Sequence, residues 1–117
     1  MPVFRLADVL LMKAEAILRG ATATTVNGEL QTPVVLVNKV RARVNAPQVA
    51  SIDLDELLEE RARELAWEGW RRNDLIRFGQ FEQPWGFKTD SDPSKRIYPI
   101  PATERSLNPN LTQNPGY

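Results

Sequence analysis

The sequence predicts a mainly α-helical chain: a helix pair, a long third helix, then an irregular, proline-rich tail. Three observations predict it. Apolar residues recur at the helical period in three stretches before residue 79. Residues that start and stop helices bracket those stretches. Pro84, Pro93, Pro99, Pro101, Pro109 and Pro115 crowd the last third, and proline inside a helix removes a hydrogen bond and clashes with the preceding turn. At 117 residues, 42% hydrophobic and 26% charged, the chain fits one folded unit, residues 1–117.

The first helix is expected over about residues 3–19. Val3, Leu6, Ala7, Leu10, Ala14 and Ile17 fall on one face, with Arg5, Asp8, Glu15 and Arg19 opposite, and Gly20 stops it. Residues 21–32 form a polar loop in which Asn27-Gly28 is a turn signal, compatible with a small hairpin. The second helix, 33–44, starts with Thr32 as N-cap and Pro33 at its first position, and Asn45-Ala46-Pro47 ends it. Leu36, Val40 and either Val37 or Val44 supply its buried stripe. The third helix, about 53–78, opens with Asp53 and Glu56 spaced as a capping box. Leu54, Leu57, Leu58, Ala62, Leu65 and Gly69 share one face, Leu75 and Ile76 return to it, and Gly79 is the stop; Gly69 and Asn73 are places to bend. In the irregular tail, 80–117, Arg96 to Pro101 is expected extended, as an edge strand anchored by Ile97 and Ile100. Thr103 to Leu107 allows one helical turn.

Composition excludes several function classes. There is no cysteine, so no disulfide, thiolate zinc site or thiol nucleophile, and no histidine, the commonest general base and metal ligand. Fifteen basic residues balance fifteen acidic ones, which leaves no long-range field to gather nucleic acid. Glu59, Glu60, Glu64 and Glu68 all lie on one helix among arginines, an ion-paired arrangement rather than the separated carboxylate pair of a glycosidase. The sequence therefore points away from an enzyme, with no catalytic residues, cofactor or metal site. Asp90-Ser91-Asp92 lacks the further oxygen ligands of a calcium loop and reads as a turn.

Two groups of residues are singled out. On a helical wheel Arg61, Glu68 and Arg72 sit within the apolar face of the third helix, with Glu64 beside it. Buried charges must be paired, so these four are expected to form a structural ion network, with Glu68 bridging Arg72 and Arg61. Replacing Glu68 by Ala is then expected to cost roughly 3 kcal/mol or more. The tryptophans are the second group. Trp67 and Trp70 lie on the flank opposite the leucines and fit a second packing face. Trp85, in the loop Gln83-Pro84-Trp85-Gly86-Phe87, is the better candidate to stack on a ligand, because loops carry function more often than helices.

Several runs carry a resemblance to a known family. Arg5-Leu-Ala-Asp-Val-Leu-Leu-Met-Lys-Ala-Glu-Ala16, Val37-Asn-Lys-Val-Arg-Ala-Arg43 and above all Glu60-Arg-Ala-Arg-Glu-Leu-Ala-Trp-Glu-Gly-Trp-Arg-Arg-Asn-Asp-Leu-Ile-Arg-Phe-Gly79 resemble helices of the SusD/RagB family. Tyr98-Pro-Ile-Pro101, Asn108-Pro-Asn110 and Gln113-Asn-Pro-Gly-Tyr117 resemble its chain end. The resemblance covers nearly every residue from Val3 on. It implies tetratricopeptide-like helix pairing in the C-terminal part of a longer lipoprotein on the outer membrane. Such a protein binds an oligosaccharide or other nutrient and works with a SusC-like TonB-dependent transporter. The family's sugar-contacting residues lie mostly upstream, so the resemblance assigns none here. The alternative from a different class is a stand-alone helical-repeat interaction module. A portion of a helical array exposes the face that met its neighbour, so the chain made alone is expected to self-associate or bind a hydrophobic dye.

Overall fold

A computed structural model describes residues 4–117. The chain is mainly helical, and it resolves into two compact units, one ending at Asp74 and one spanning Leu75–Tyr117.

In the first unit, α1 spans Leu6–Leu18, β1 Thr25–Val26, β2 Glu29–Leu30, α2 Pro33–Ala42 and α3 Leu54–Glu64. Their ends follow local chemistry. Thr32 accepts a hydrogen bond from the Val35 N–H at 3.3 Å and Pro33 opens α2, as its sequence predicts. Asp53 and Glu56 form the expected capping box at the start of α3, satisfying two backbone N–H groups that a helix start otherwise leaves bare. The hairpin also forms. Thr25 pairs with Leu30 and Val26 with Glu29, and Asn27 and Gly28 both take positive φ, the conformation a two-residue turn requires. Lys13 on α1 ties this hairpin down through Thr24 Oγ1 at 2.8 Å and Gln31 Oε1 at 2.6 Å.

α1 and α2 pack against each other through Ala7, Leu11, Ala14, Leu36, Val37 and Val40, and Leu57 of α3 closes this core. Of the alternatives left open for α2, Val37 is buried and Val44 exposed, because the helix ends at Ala42, before Val44. The α1 stripe is rotated from the one its apolar residues suggest. Leu6 is 72% exposed, while Asp8 and Glu15, assigned by charge to the outer face, are buried. The proposed start of α1 at Val3 lies outside the described residues. Between α2 and α3, Asn38 holds the loop by bonding both backbone groups of Val49 at 2.9 Å, taking the place of a strand partner.

The third helix departs most from expectation. It is not continuous over 53–78: α3 ends at Glu64 and a new helix, α4, spans Arg71–Arg77. In between, Trp67 takes φ +64 and Gly69 φ +80. Glycine adopts this left-handed region freely, whereas a tryptophan there is an outlier costing roughly 1–2 kcal/mol. Two long-range ion contacts, described below, hold the break open.

In the second unit, a 3-10 turn spans Pro93–Arg96 and α5 spans Ala102–Leu107, the helical turn expected at 103–107. The expected strand at 96–101 is absent. Pro99 and Pro101 lack the N–H groups a ladder needs, and Arg96 closes the 3-10 turn. Ile100 instead pairs with a side chain: its N–H donates to Gln113 Oε1 at 2.8 Å, and Gln113 Nε2 donates to its carbonyl at 3.0 Å. Ile97 is exposed, not an anchor, and its carbonyl accepts from the Tyr117 hydroxyl at 2.8 Å. Tail segments are thus joined by side chains standing in for backbone partners.

Candidate functional site

Three of the four charged residues singled out on the third helix, Arg61, Glu64 and Glu68, form ion pairs with residues outside that group. Arg61 is 2% exposed and donates from Nη1 to Asp8 Oδ1 and from Nε to Asp74 Oδ2, each at 2.9 Å. In one continuous helix Arg61 and Asp74 would sit about 20 Å apart along the axis. The break at 65–70 is what lets one reach the other. Arg61 makes no bond to Glu68, which corrects the bridge the helical wheel suggested: once the helix stops at Glu64, positions 61 and 68 no longer share a face.

Glu64 and Glu68 are nevertheless brought together, by Arg5. Its Nε donates to both oxygens of Glu68, at 2.9 and 3.0 Å, and its other nitrogens reach the carboxylate and backbone carbonyl of Glu64. The hydrogen bonds to Glu68, then those to Glu64, hold the Arg5 guanidinium above its already high ordinary pKa. Glu64 also accepts from Arg43 Nη2 at 2.9 Å, so one carboxylate ties the start of α1 and the end of α2 to α3. Arg72 lies half-buried on α4. Glu60, read from sequence as part of an acidic helix face, is buried and bonds Arg41 and Arg63, each at 2.6 Å. Glu59, Glu60 and Glu64 of α3 are thus each bonded to an arginine, an arrangement that holds helices together.

Sequence reasoning missed Arg5, Asp8 and Asp74 because each sits on a different helical face or element from its partner. The signal was present in Asp8 and Glu15: two charges interrupting a stripe otherwise fit for burial.

The tryptophans separate. Trp70 is half-buried against Phe4, ring centres 5.9 Å apart, the packing role expected of it. Trp67 is fully exposed at the helix break, not packed as expected, because its left-handed backbone turns the side chain out of the α3 face. It rims a cavity of about 470 Å3 lined by Ala62, Leu65, Ala66 and Arg71. A second cavity of about 620 Å3 lies between the 49–52 segment and α3, with Val49 and Ile52 apolar and Asp55, Glu56, Glu59, Arg41 and Arg63 charged. Trp85, in the second unit, is more than half exposed in a loop, where the sequence places it. Asp92 bonds the N–H and hydroxyl of Ser94 and so caps the 3-10 turn, the turn role read for Asp90-Ser91-Asp92.

A family model described as the SusD family matches residues 1–117. The chain belongs to the SusD family. It is similar to the starch-binding protein SusD of Bacteroides thetaiotaomicron, 38% identical over 127 aligned residues that cover 99% of this chain and 21% of that protein. It is also similar to two proteins of Formosa agariphila: SusD-like protein P38, 36% identical over 98% of this chain and 24% of that protein, and SusD-like protein P25, 35% identical over 96% and 23%. The chain thus spans about a fifth to a quarter of the length of the curated relatives it matches. The match places Arg5, Asp8, Arg61, Glu64 and Asp74 all within SusD-family sequence. No helix among the described residues is long and apolar enough to cross a membrane.

Proposed function

We propose that this chain is part of a cell-surface, glycan-binding protein of the outer membrane that captures an oligosaccharide without turning it over. It delivers the sugar to a SusC-like TonB-dependent transporter. The observation that carries this reading is the similarity to a starch-binding protein at 38% identity across 99% of the chain. The site chemistry supports it: Glu59, Glu60 and Glu64 of α3 are engaged by arginines, while an aromatic ring, Trp85, stands exposed in a loop where the C–H face of a sugar can stack.

The first unit acts as scaffold. Its buried ion pairs fix the helix crossings, and the exposed row Leu6, Val9 and Met12 on α1 presents an apolar strip to whatever lies against it in the whole protein. The second unit carries the ligand contact at Trp85.

Two measurements test this. Glycan affinity electrophoresis of the protein should show retardation in gels containing a recognised polysaccharide and no release of reducing ends on prolonged incubation. Native extraction from its source membrane, with the chain tagged, should recover a TonB-dependent transporter. Reducing ends that accumulate with time, or a tagged protein recovered without any transporter, would contradict the reading.

A further inference from the structure

Residues 113–117 lie along the segment 93–100 and are held by it position by position. Gln113 Oε1 accepts the Ile100 N–H at 2.8 Å, and Gln113 Nε2 donates to the Ile100 carbonyl at 3.0 Å. Asn114 Nδ2 donates to the Tyr98 carbonyl at 2.7 Å, and the Tyr117 hydroxyl donates to the Ile97 carbonyl at 2.8 Å. Lys95 Nζ stands 4.3 Å from the centre of the Tyr117 ring, a cation–π contact. Pro115 fixes one backbone angle in the middle of the run, so less chain freedom is lost when the run docks.

Gly116 makes the fit exclusive. It takes φ +90, and a Cβ there would come within 2.6 Å of the Ser94 Cβ. Ser94 is held where it is, because its N–H and its hydroxyl both bond Asp92, at 2.9 and 2.8 Å. A side chain at position 116 therefore lifts the run off the 3-10 turn at Pro93–Arg96.

That turn in its own right takes hold of the Trp85 loop. Arg96, its last residue, donates to both carboxylate oxygens of Glu82, from Nε and, at 2.9 Å, from Nη2. Three residues after Glu82 the loop closes on itself. The Trp85 N–H donates to the Lys88 carbonyl at 3.2 Å, and the Lys88 N–H returns to the Trp85 carbonyl at 2.8 Å. Lys88 Nζ braces the base by donating to the carbonyls of Gln83 and Asp90, and Trp85 and Phe87 are both exposed on the closed turn.

We propose that segment 113–117 is a strap that positions the Trp85 loop, acting through the 93–96 turn and the Arg96–Glu82 pair, with Gly116 as its positioning residue. Its bearing on ligand capture rests on the glycan-binding reading above; its bearing on loop order does not.

NMR relaxation of the backbone amides in the intact chain, with no glycan present, tests it. The amides of Trp85 and Lys88 should show order parameters of about 0.85, as rigid backbone does. Gly116→Val and Arg96→Gln should each lower them below about 0.6 while α1–α3 stay unchanged. Arg96→Lys, which keeps a cation for Glu82, should fall between. Strap and ion pair act in series, so the double variant should loosen the loop no further than Arg96→Gln alone. A loop that stays ordered in either single variant overturns the proposal, and so does a loop already mobile in the intact chain. If Gly116→Val unfolds the second unit, Tyr117→Phe takes its place, since it removes only the hydroxyl bond to Ile97; unchanged loop order in that variant overturns the strap. Failure to bind any glycan would count against the reading of the whole protein and leave these order parameters as they are.

Discussion

Arg5 grips Glu68 from 63 positions away, its Nε donating to both carboxylate oxygens at 2.9 and 3.0 Å. The same guanidinium holds Glu64, and the two acids contribute unequally. Glu64 is nearly buried and serves both Arg5 and Arg43, whereas Glu68 and Arg5 are each about 30% exposed. Glu64→Ala should therefore cost about 2–3 kcal/mol, since it leaves a desolvated pocket and two arginines short of a partner. Glu68→Ala should cost only about 1 kcal/mol, because solvent screens the site and Arg5 keeps Glu64. This is well below the value expected from sequence. Urea denaturation of the two variants measures both, and a larger loss for Glu68→Ala than for Glu64→Ala would contradict the structure.

Trp67 offers a test of strain. It sits at φ +64 with its side chain in solvent, so little packing is lost on removing it. Trp67→Gly should leave the stability unchanged or raise it by up to about 1 kcal/mol, because glycine adopts this backbone without penalty. A clear drop in the denaturation midpoint would mean that the ring packs where the structure leaves it exposed.

The second unit has a predicted acid sensitivity. Arg96, by its hydrogen bonds to Glu82, holds the Glu82 carboxyl below its ordinary value of 4.5, and the N–H and hydroxyl of Ser94 hold Asp92 below 3.8. A carboxylate whose folded pKa is depressed stabilises the fold above its unfolded pKa and loses that contribution as pH falls through the folded one. The Glu82–Arg96 and Asp92–Ser94 contacts should therefore hold unchanged from neutral pH down to about 4.5 and loosen in more acid solution. Following the Arg96 Nε–H and Ser94 N–H resonances against pH measures this. Both groups are exposed, so high salt should weaken the Glu82 effect. A titration midpoint for Glu82 above 4.5 contradicts the contact.

Much of the fold was legible because it is encoded locally. The Thr32 cap, the Asp53–Glu56 box and the Asn27-Gly28 hairpin each depend on residues within a few positions of one another, and each forms as its sequence predicts. The break at 65–70 was not legible. Apolar periodicity runs through it, and what interrupts the helix is Arg61 reaching Asp8 and Asp74 while Arg5 draws in Glu64 and Glu68. Those partners are distant in sequence, so a helical wheel cannot find them. The same blindness put Asp8 and Glu15 on the solvent face. Gln83-Pro84-Trp85 was legible as a loop, and it is one, with Trp85 exposed. The exposure of Phe87 and the closure of the turn through Lys88 emerged only with the backbone path.

Arg61 and Asp8 join α3 to α1 through a bond between side chains that are each 2% exposed, and Asp8 Oδ2 has no hydrogen-bond partner among the described residues. The most direct measurement of whether such buried pairs hold this fold together is a double-mutant cycle on the free energy of unfolding, using Arg61→Met, Asp8→Leu and the two combined. Each single change should be costly, because it strands the other charge in the interior, and the double should recover part of that loss. The predicted coupling is at least about 1 kcal/mol. Single and double variants whose losses simply add would show that Arg61 and Asp8 do not depend on each other, and would contradict the structure's central contact.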